Sequence, residues 1–234
     1  MSLRILVLTS STGSGHDMRA RAFSSWVNSM YGDRVEVRIE RIIENGSLLG
    51  RFGVWLYNTI HKYAPFLHNL YFFIVELFVS SHGRSVPFGG RYYRRLLAAY
   101  QPQIVLSVHD STNRGFFEDA RRVLGREVRC VTYCGEFSGG YGYSRNWVNP
   151  SADHFIARTE PARDFAVQLG IPRERTSVFQ KVLPPGAFTN PMTDDERSDL
   201  LRRLGLHPDR FTLFLATGGY GANHHFSFLN AILP

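Results

Sequence analysis

The sequence predicts an α/β fold in which helices cover both faces of a parallel sheet. Strand-like and helix-like segments alternate along the chain, starting with a buried strand over Arg4–Thr9 and a helix over residues 17–31. This alternation is typical of parallel sheets with crossover helices. The 234 residues, 44% of them hydrophobic, are enough for one large domain with a packed core and for part of a second.

The later elements of the first domain follow in the same order. Strands are predicted over Val35–Glu40, Pro102–Val108, Val128–Tyr133 and His154–Ala157, and helices over Ser111–Leu124 and Glu160–Leu169. Thr159 suits the N-cap of the last helix, and Gly170 stands just past its end. Because ligands of parallel sheets bind at the carboxyl ends of the strands, the loops after the first, third and fourth strands are predicted to gather at one site.

Residues 43–100 form a long insertion between the second and third predicted strands. The insertion is rich in Leu, Phe, Tyr and Trp and punctuated by basic residues, as in 51–57 and 91–95. Helices with an apolar and a basic face fit an element that lies on a membrane surface. A helical subdomain whose aromatic side chains form a core fits the same pattern equally well.

The composition changes after the first domain, which is predicted to span 1–182. Residues 183–186 have the composition of a linker, and a new helix is predicted to start with Thr193 as its N-cap. A strand over Phe211–Ala216 then enters a second glycine-rich loop. One strand and part of a helix cannot bury a core. Residues 183–234 are therefore predicted to be a linker and the truncated start of a second α/β unit.

The balance of charge predicts a preference for anionic partners. A net charge of +7 and a pI near 9.7 favour attraction to nucleic acid or to anionic lipid. No nucleic-acid-reading motif is visible, so nucleic acid is not an expected partner. The most apolar run, Leu70–Val79, is interrupted by Glu76 and is about half the ~20 residues that a spanning helix needs.

Cysteine and histidine usage gives no sign of a metal site. Cys130 and Cys134 lie in an apparent strand without further ligands nearby, so buried thiols are predicted rather than zinc ligands. His224-His225 has no carboxylate or cysteine partner at suitable spacing, so no metal is assigned there. The N-terminus enters the first strand at once, which predicts that no signal peptide is present and favours a reducing, cytoplasmic setting.

The first strand runs into a glycine-rich turn, Ser10–His16, which is the most informative part of the sequence. Gly13 and Gly15 let the backbone approach a ligand closely, and the following helix presents free N–H groups to an anion. A phosphate-binding P-loop would have lysine where His16 stands, and a dinucleotide fingerprint would have a third glycine at Met18. The glycine spacing alone also fits a purely structural connection.

Four side chains near the predicted strand ends are candidates for chemistry. His16 can exchange a proton near neutral pH and is placed as a general base, or alternatively it only caps its helix or bonds a backbone carbonyl. His109 follows the third strand beside Asp110, which alternatively caps the next helix. Glu136 lies in a Gly/Tyr-rich loop, where it orients a hydroxyl, assists the base or is simply solvated. Trp147 contacts a lipid or sugar, or packs under that loop.

Together, several segments resemble the monogalactosyldiacylglycerol synthase family, which includes the bacterial processive diacylglycerol glucosyltransferases. The turn Ser10–His16 resembles the Ser-x-Gly-x-Gly-His motif of that family. Residues 57–65 resemble its aromatic-Asn and Lys-x-x-Pro segment. Residues 101–109 resemble its Pro-Asp-x-x-x-Ser-x-His strand, and residues 215–221 resemble the glycine loop that opens its donor domain.

The resemblance implies two Rossmann-like domains of the GT-B glycosyltransferase type, the first for a lipid acceptor and the second for a UDP-sugar. It implies metal-independent transfer of a hexose, with the UDP-sugar as donor substrate and no other cofactor. By this resemblance His16 and Glu136 are catalytic. The acceptor-binding residues are Gly13, Ser14, Gly15, His109 and Trp147, and those bordering the donor phosphates are Gly218, Gly219 and Gly221.

The resemblance also implies a place of action, which is the cytoplasmic, inner face of a membrane with an anionic surface. The uridine-binding residues of the family lie beyond Pro234, so the chain alone is predicted to be inactive. Two alternatives stay open at this point. One is a non-enzymatic module that binds anionic membrane surfaces, and the other is a fragment of a nucleotide-sugar epimerase.

Overall fold

A parallel sheet forms the centre of the molecule. The computed structural model describes residues 2–81, 86, 89–140, 143–180, 182–187, 192–215 and 225–232. Within these residues six parallel strands pair in the order β2-β1-β3-β4-β5-β6. They are β1 (Leu3–Thr9), β2 (Val35–Arg41), β3 (Ile104–Ser107), β4 (Arg129–Tyr133), β5 (His154–Ala157) and β6 (Thr176–Val178).

Helices cover both faces of this sheet. The helices within the described residues are α1 (Gly15–Tyr31), α2 (Ile42–Gly46), α3 (Leu48–Tyr63), α4 (His68–Ser81), α5 (Gly90–Tyr100), α6 (Phe116–Leu124), α7 (Glu160–Gln168), α8 (Asp194–Arg203) and α9 (His225–Ile232). Alternate residues of β1 point to opposite faces, so Leu6 packs in one cluster with Leu97 and Phe117, while Val7 packs in another with Ala20. The fold class predicted from the sequence, a Rossmann-like parallel sheet, is confirmed.

The predicted elements differ from the structure at three places. β6 was not predicted, because its three residues give almost no pattern. The helix expected from Ser111 starts only at Phe116, because Gly115 takes a positive φ of 77° and ends the preceding turn. The strand predicted from Phe211 is wrong over Phe211–Leu215, which form no strand; the described residues offer no neighbouring strand to pair with it.

The insertion between β2 and β3 contains both kinds of helix that its sequence allowed. α5 buries Tyr93, Leu96 and Leu97 in the core against α6. α3 and α4 instead expose large apolar side chains, among them Phe52 and Phe73. Within the described residues, no helix is both long and apolar enough to cross a membrane. Cys130 and Cys134 are buried free thiols, as predicted.

Candidate active site

Side chains from the insertion hold the glycine turn in place. The Ser11 amide and hydroxyl donate to Oε1 of Glu44 on α2, at 2.6 and 2.7 Å. Asn58 on α3 accepts from the Gly13 amide at 3.0 Å and donates to the Ser11 carbonyl at 3.0 Å. These four hydrogen bonds hold two residues of the turn, so the turn is ordered by contacts with α2 and α3. Asn58 lies in the segment that resembles the synthase family.

The residues predicted to shape the turn have unequal roles. Gly13 has a φ of 62°, a conformation that other residues adopt only with strain, so glycine is needed there. Ser14 occupies the N-cap of α1 without making a side-chain cap, and Gly15 begins the helix with open space around its Cα. Gly218, Gly219 and Gly221 lie outside the described residues.

His16 is a partly buried, neutral imidazole. Its Nδ1 lies 2.7 Å from the carbonyl of Val108. A carbonyl can only accept, so Nδ1 carries the hydrogen and Nε2 has the free lone pair. Burial, together with the nearby His109 and Arg19, lowers the pKa of His16 from 6.5 to about 3. The ring is therefore uncharged at neutral pH and can accept a proton.

His109 and Asp110 stand beside His16 at the end of β3. The ring centres of the two histidines are 4.3 Å apart, and His109 Nε2 lies 2.6 Å from the Thr12 hydroxyl. The Ser111 amide lies 2.8 Å from Asp110 Oδ1 and 3.1 Å from His109 Nδ1. The carboxylate is the stronger acceptor, so His109 Nδ1 is free to donate to it at 2.9 Å.

Asp110 is held as a carboxylate in this cluster. Burial opposes its ionisation, but the neighbouring His109 and the hydrogen bond between them outweigh burial and keep the pKa of Asp110 below its usual range. Asp110 therefore accepts from the Ser111 amide in the short turn after β3 and places a negative charge beside two imidazoles. The alternative that it caps the next helix is wrong, because α6 starts only at Phe116 and has Gly115 as its N-cap.

Glu136 and Trp147 form the opposite wall. The indole Nε1 of Trp147 donates to Glu136 Oε1 at 2.9 Å, and its ring centre lies 5.9 Å from that of His16. Trp147 is only 1% exposed. Burial raises the pKa of Glu136; the Trp147 hydrogen bond opposes this rise and the Asp110 charge adds to it. Glu136 is thus a partly buried, partnered carboxyl group rather than a solvated loop charge.

These side chains enclose one cavity of about 170 Å³. It lies at the carboxyl ends of β1, β3 and β4, so the predicted gathering of three loops is observed. His16, His109, Glu136 and Trp147 all line it, whereas Gly13, Ser14 and Gly15 do not. The other lining residues are Thr12, Tyr57, Tyr71, Phe72, Glu76, Asp110 and Ser111. Among the described side chains, no group of three or more His, Cys, Asp or Glu residues is placed to hold a metal ion.

The roof of the cavity is α4, which sequence reasoning missed. Tyr71, Phe72 and Glu76 face inward from this helix. The carboxylate of Glu76 accepts from the Ser144 hydroxyl at 2.7 Å, and from the amide nitrogens Arg145 N and Asn146 Nδ2 at 2.9 Å each. Glu76 therefore joins α4 to the turn that carries Trp147. One indication of this role was visible in the sequence, because Glu76 is a charged residue within an otherwise apolar run.

Replacing Glu76 with alanine is expected to loosen the roof. Three donors lose a charged acceptor, which we expect to cost about 1–3 kcal/mol locally. Hydrogen exchange measured by mass spectrometry should become faster in α4 and around Trp147, and stay unchanged in β1. Glu76→Gln keeps one carbonyl acceptor and should show a smaller change. Equal protection of α4 in the alanine variant and the wild type would contradict the proposed contact.

The fold and this cavity define the chain as a Rossmann-like α/β protein with a histidine- and carboxyl-lined site. No protein-family model and no curated protein matches it in sequence. Among solved structures it is similar to the apo form of the lipopolysaccharide outer core galactosyltransferase WaaB, at 12% identity and a TM-score of 0.43 over 75% of this chain and 44% of that one.

A second similar protein is Alr3699/HepE of Anabaena. Its complex with UDP and glucose matches at 14% identity and a TM-score of 0.44, and its complex with UDP-glucose at 15% and 0.43. Each match covers 87% of this chain and 50% of the other. The chain thus spans about half the length of the structures it matches. Similarity this low identifies neither a reaction nor a substrate.

Proposed function

We propose that the chain is the acceptor-binding part of a membrane-surface glycosyltransferase, which transfers a hexose from a UDP-sugar to a hydroxyl of a diacylglycerol-like lipid. The observation that supports this most directly is the neutral His16, which lines the same cavity as Asp110 and Glu136. Its Nδ1 is bonded to Val108, so its Nε2 carries the free lone pair. The sequence resemblance to diacylglycerol glycosyltransferases supplies the choice of donor and acceptor.

In the proposed reaction, the acceptor oxygen bonds to the anomeric carbon while the bond from that carbon to the UDP oxygen breaks. His16 Nε2 takes the proton of the acceptor hydroxyl, and UDP leaves with the electron pair. The negative charge of Asp110 raises the affinity of His16 for this proton, so it stabilises the imidazolium that forms. Glu136 is proposed to position the acceptor by accepting a hydrogen bond from it.

The donor is proposed to bind a second Rossmann-like unit, to which Gly218, Gly219 and Gly221 would contribute. As in the family that the chain resembles, the UDP-sugar is the donor substrate and no metal is required. The proposed place of action is the cytoplasmic face of a membrane. Transfer is proposed to need both units facing each other across the His16 cavity.

Apolar side chains beside the cavity support a membrane as the source of the acceptor. On α3, α4 and the turn between them, large apolar side chains are 38–80% exposed. We call these residues the α3–α4 apolar surface: Leu48, Leu49, Phe52, Trp55, Phe66, Leu67, Leu70, Phe73, Ile74 and Leu77. An exposed apolar patch of this kind is typical of a protein or membrane interaction site. The net charge of +7 favours an anionic lipid surface.

The decisive test is an assay of sugar transfer. The chain alone, and the chain fused to a UDP-sugar-binding domain, are incubated with vesicles containing diacylglycerol and labelled UDP-glucose or UDP-galactose. We expect labelled glycolipid from the fusion and none from the chain alone. A correctly folded fusion that binds UDP-sugar and vesicles but labels no lipid would refute the proposal.

Charging the α3–α4 apolar surface should weaken vesicle binding. Phe73 and Leu77 are 63% and 61% exposed, so their replacement by aspartate should leave the fold intact. We expect the double variant to bind anionic vesicles at least about tenfold more weakly, since each side chain loses the transfer energy of an apolar group. Co-sedimentation measures the effect. Leu204→Asp, at a position 64% exposed after α8, is the matched control and should bind normally.

A further inference from the structure

A second cavity, of about 390 Å³, lies on the other side of the glycine turn between α2 and α3. Ser11 borders this cavity, whereas the next residue, Thr12, borders the His16 cavity. None of the residues given a role in sugar transfer lines it. Its lining residues are Ser11, Glu44, Arg51, Val54, Trp55, Asn58, Thr59, Lys62 and Tyr63. The volume falls within the range of about 300–1,000 Å³ that small-molecule sites occupy.

A buried carboxylate in this wall has one oxygen without a partner. Glu44 is 9% exposed, and its Oε1 accepts both hydrogen bonds from Ser11. Its Oε2 is buried and accepts no hydrogen bond from the described residues. Buried carboxylate oxygens are normally hydrogen-bonded, because losing water without gaining a donor is costly. Glu44 Oε2 is therefore the natural acceptor for a hydroxyl of a ligand.

Two cations line the same cavity. Arg51 and Lys62 belong to one face of α3, because eleven residues correspond to about three helical turns. Within the part of the chain that the structure describes, neither forms an ion pair with a carboxylate. A long side chain with unused N–H donors is well suited to bind a phosphate group. Trp55 and Tyr63 add apolar surface to the lining, and the ring centre of Tyr63 lies 4.9 Å from Lys62 Nζ.

We propose that this cavity binds a polyol phosphate, with a hydroxyl donating to Glu44 Oε2 and the phosphate near Arg51 and Lys62. Neither a bare anion nor a neutral polyol satisfies both the carboxylate and the cations. The chemistry is the same whether the ligand is free or is the headgroup of a lipid. Because Glu44 and Asn58 also hold the glycine turn, the ligand would contact the groups that order the His16 loop.

Calorimetric titration of the chain with glycerol 3-phosphate, inorganic phosphate and glycerol tests the site. Glycerol 3-phosphate should bind most tightly. Arg51→Ala and Lys62→Ala should each weaken it about tenfold or more, because each removes a charge-assisted hydrogen bond. Arg126→Ala, an exposed cation away from this cavity, should bind like the wild type. Equal binding by the wild type and both cavity variants, or no saturable binding of glycerol 3-phosphate, would overturn the proposal.

Replacing Glu44 with glutamine should change the affinities for glycerol 3-phosphate and for inorganic phosphate in opposite directions. Its carbonyl oxygen can still accept from Ser11, but its amide nitrogen cannot accept a ligand hydroxyl. Glycerol 3-phosphate should therefore bind more weakly, and inorganic phosphate more tightly because a negative charge is gone. Equal changes for both ligands would count against a hydroxyl at Glu44. The Arg51 and Lys62 variants, altered on the helix surface, keep the test valid if this variant fails to fold.

Vesicles distinguish the two sources of the ligand. Phosphatidylglycerol and phosphatidylserine vesicles are both anionic, but only the first offers free glycerol hydroxyls. A preference for phosphatidylglycerol that is lost in Lys62→Ala would assign the site to a lipid headgroup. Binding of soluble glycerol 3-phosphate without that preference would assign it to a free ester. No UDP-sugar is present in these measurements, so failure of the proposed transfer reaction would leave this site standing.

Discussion

The rate of sugar transfer is expected to fall by about 10²–10⁴-fold when His16 is replaced by asparagine. Asparagine can keep a donor near the Val108 carbonyl through its Nδ2, but it has no nitrogen that takes up a proton. The measurement is kcat/KM in the protein that carries the donor unit, with diacylglycerol vesicles as acceptor. Vesicle binding should stay unchanged, because the residue lies inside the cavity.

A control variant at another histidine and a stability measurement show whether the lower transfer rate comes from the loss of the proton acceptor. His154 stands at the start of β5, at the amino ends of the strands, whereas the site lies at their carboxyl ends. His154→Asn should therefore transfer sugar at the normal rate.

His16 has a pKa of about 3 when folded against 6.5 when unfolded, so the unfolded chain binds the extra proton between these values. Wild-type stability must therefore fall as the pH drops from 6.5 towards 3.

The asparagine variant lacks this proton-linked loss of stability. Its free energy of unfolding in urea should consequently change less between about pH 7 and about pH 5 than that of the wild type. Equal pH dependence in the two proteins would show that His16 is not held neutral by burial. A normal transfer rate in the variant would remove His16 from the proposed mechanism.

The sheet and the position of the cavity could be predicted because their signals are local. β1 is a continuous apolar run that ends at a glycine turn, and the parallel arrangement places the ends of β1 and β3 at one edge. At this edge His16 and His109 lie together, although they are distant in sequence. His16 Nδ1 is bonded to the carbonyl of Val108, which is 92 positions away. No pairing information was needed beyond the α/β alternation.

The contacts that order the site could not be predicted, because their partners are distant in sequence. From the sequence, Glu76 was interpreted only as an interruption of an apolar run. In the structure it accepts hydrogen bonds from three residues that follow it in the sequence by 68, 69 and 70 positions. The tie between Glu44 and Ser11 spans 33 residues. Neither carboxylate belongs to a motif, and periodicity carries no information on which polar atoms meet. Only the packed fold shows them.

Asn113 is the clearest residue of this kind. It is fully buried in the turn before α6, and its Nδ2 donates to the carbonyls of His109 at 3.0 Å, Asp110 at 2.9 Å and Asn146 at 3.2 Å. Its Oδ1 accepts from the Thr132 hydroxyl at 2.8 Å. One amide thus connects the ends of β3 and β4 with the residue before Trp147. It fixes the relative positions of the two walls of the cavity.

Replacing Asn113 with aspartate is expected to destabilise the protein by about 3–5 kcal/mol, because a buried, unpaired charge then faces three carbonyl oxygens. Asn113→Ala removes the donors without adding a charge and should cost less, about 1–3 kcal/mol. Urea unfolding measures both, with the exposed Asn28→Asp on α1 as control. Burial raises the folded pKa of the new carboxyl above its unfolded value, so the folded state binds the proton more tightly and the deficit should shrink as the pH falls. An aspartate variant no less stable than the alanine variant at neutral pH would show that this amide does not hold the walls together.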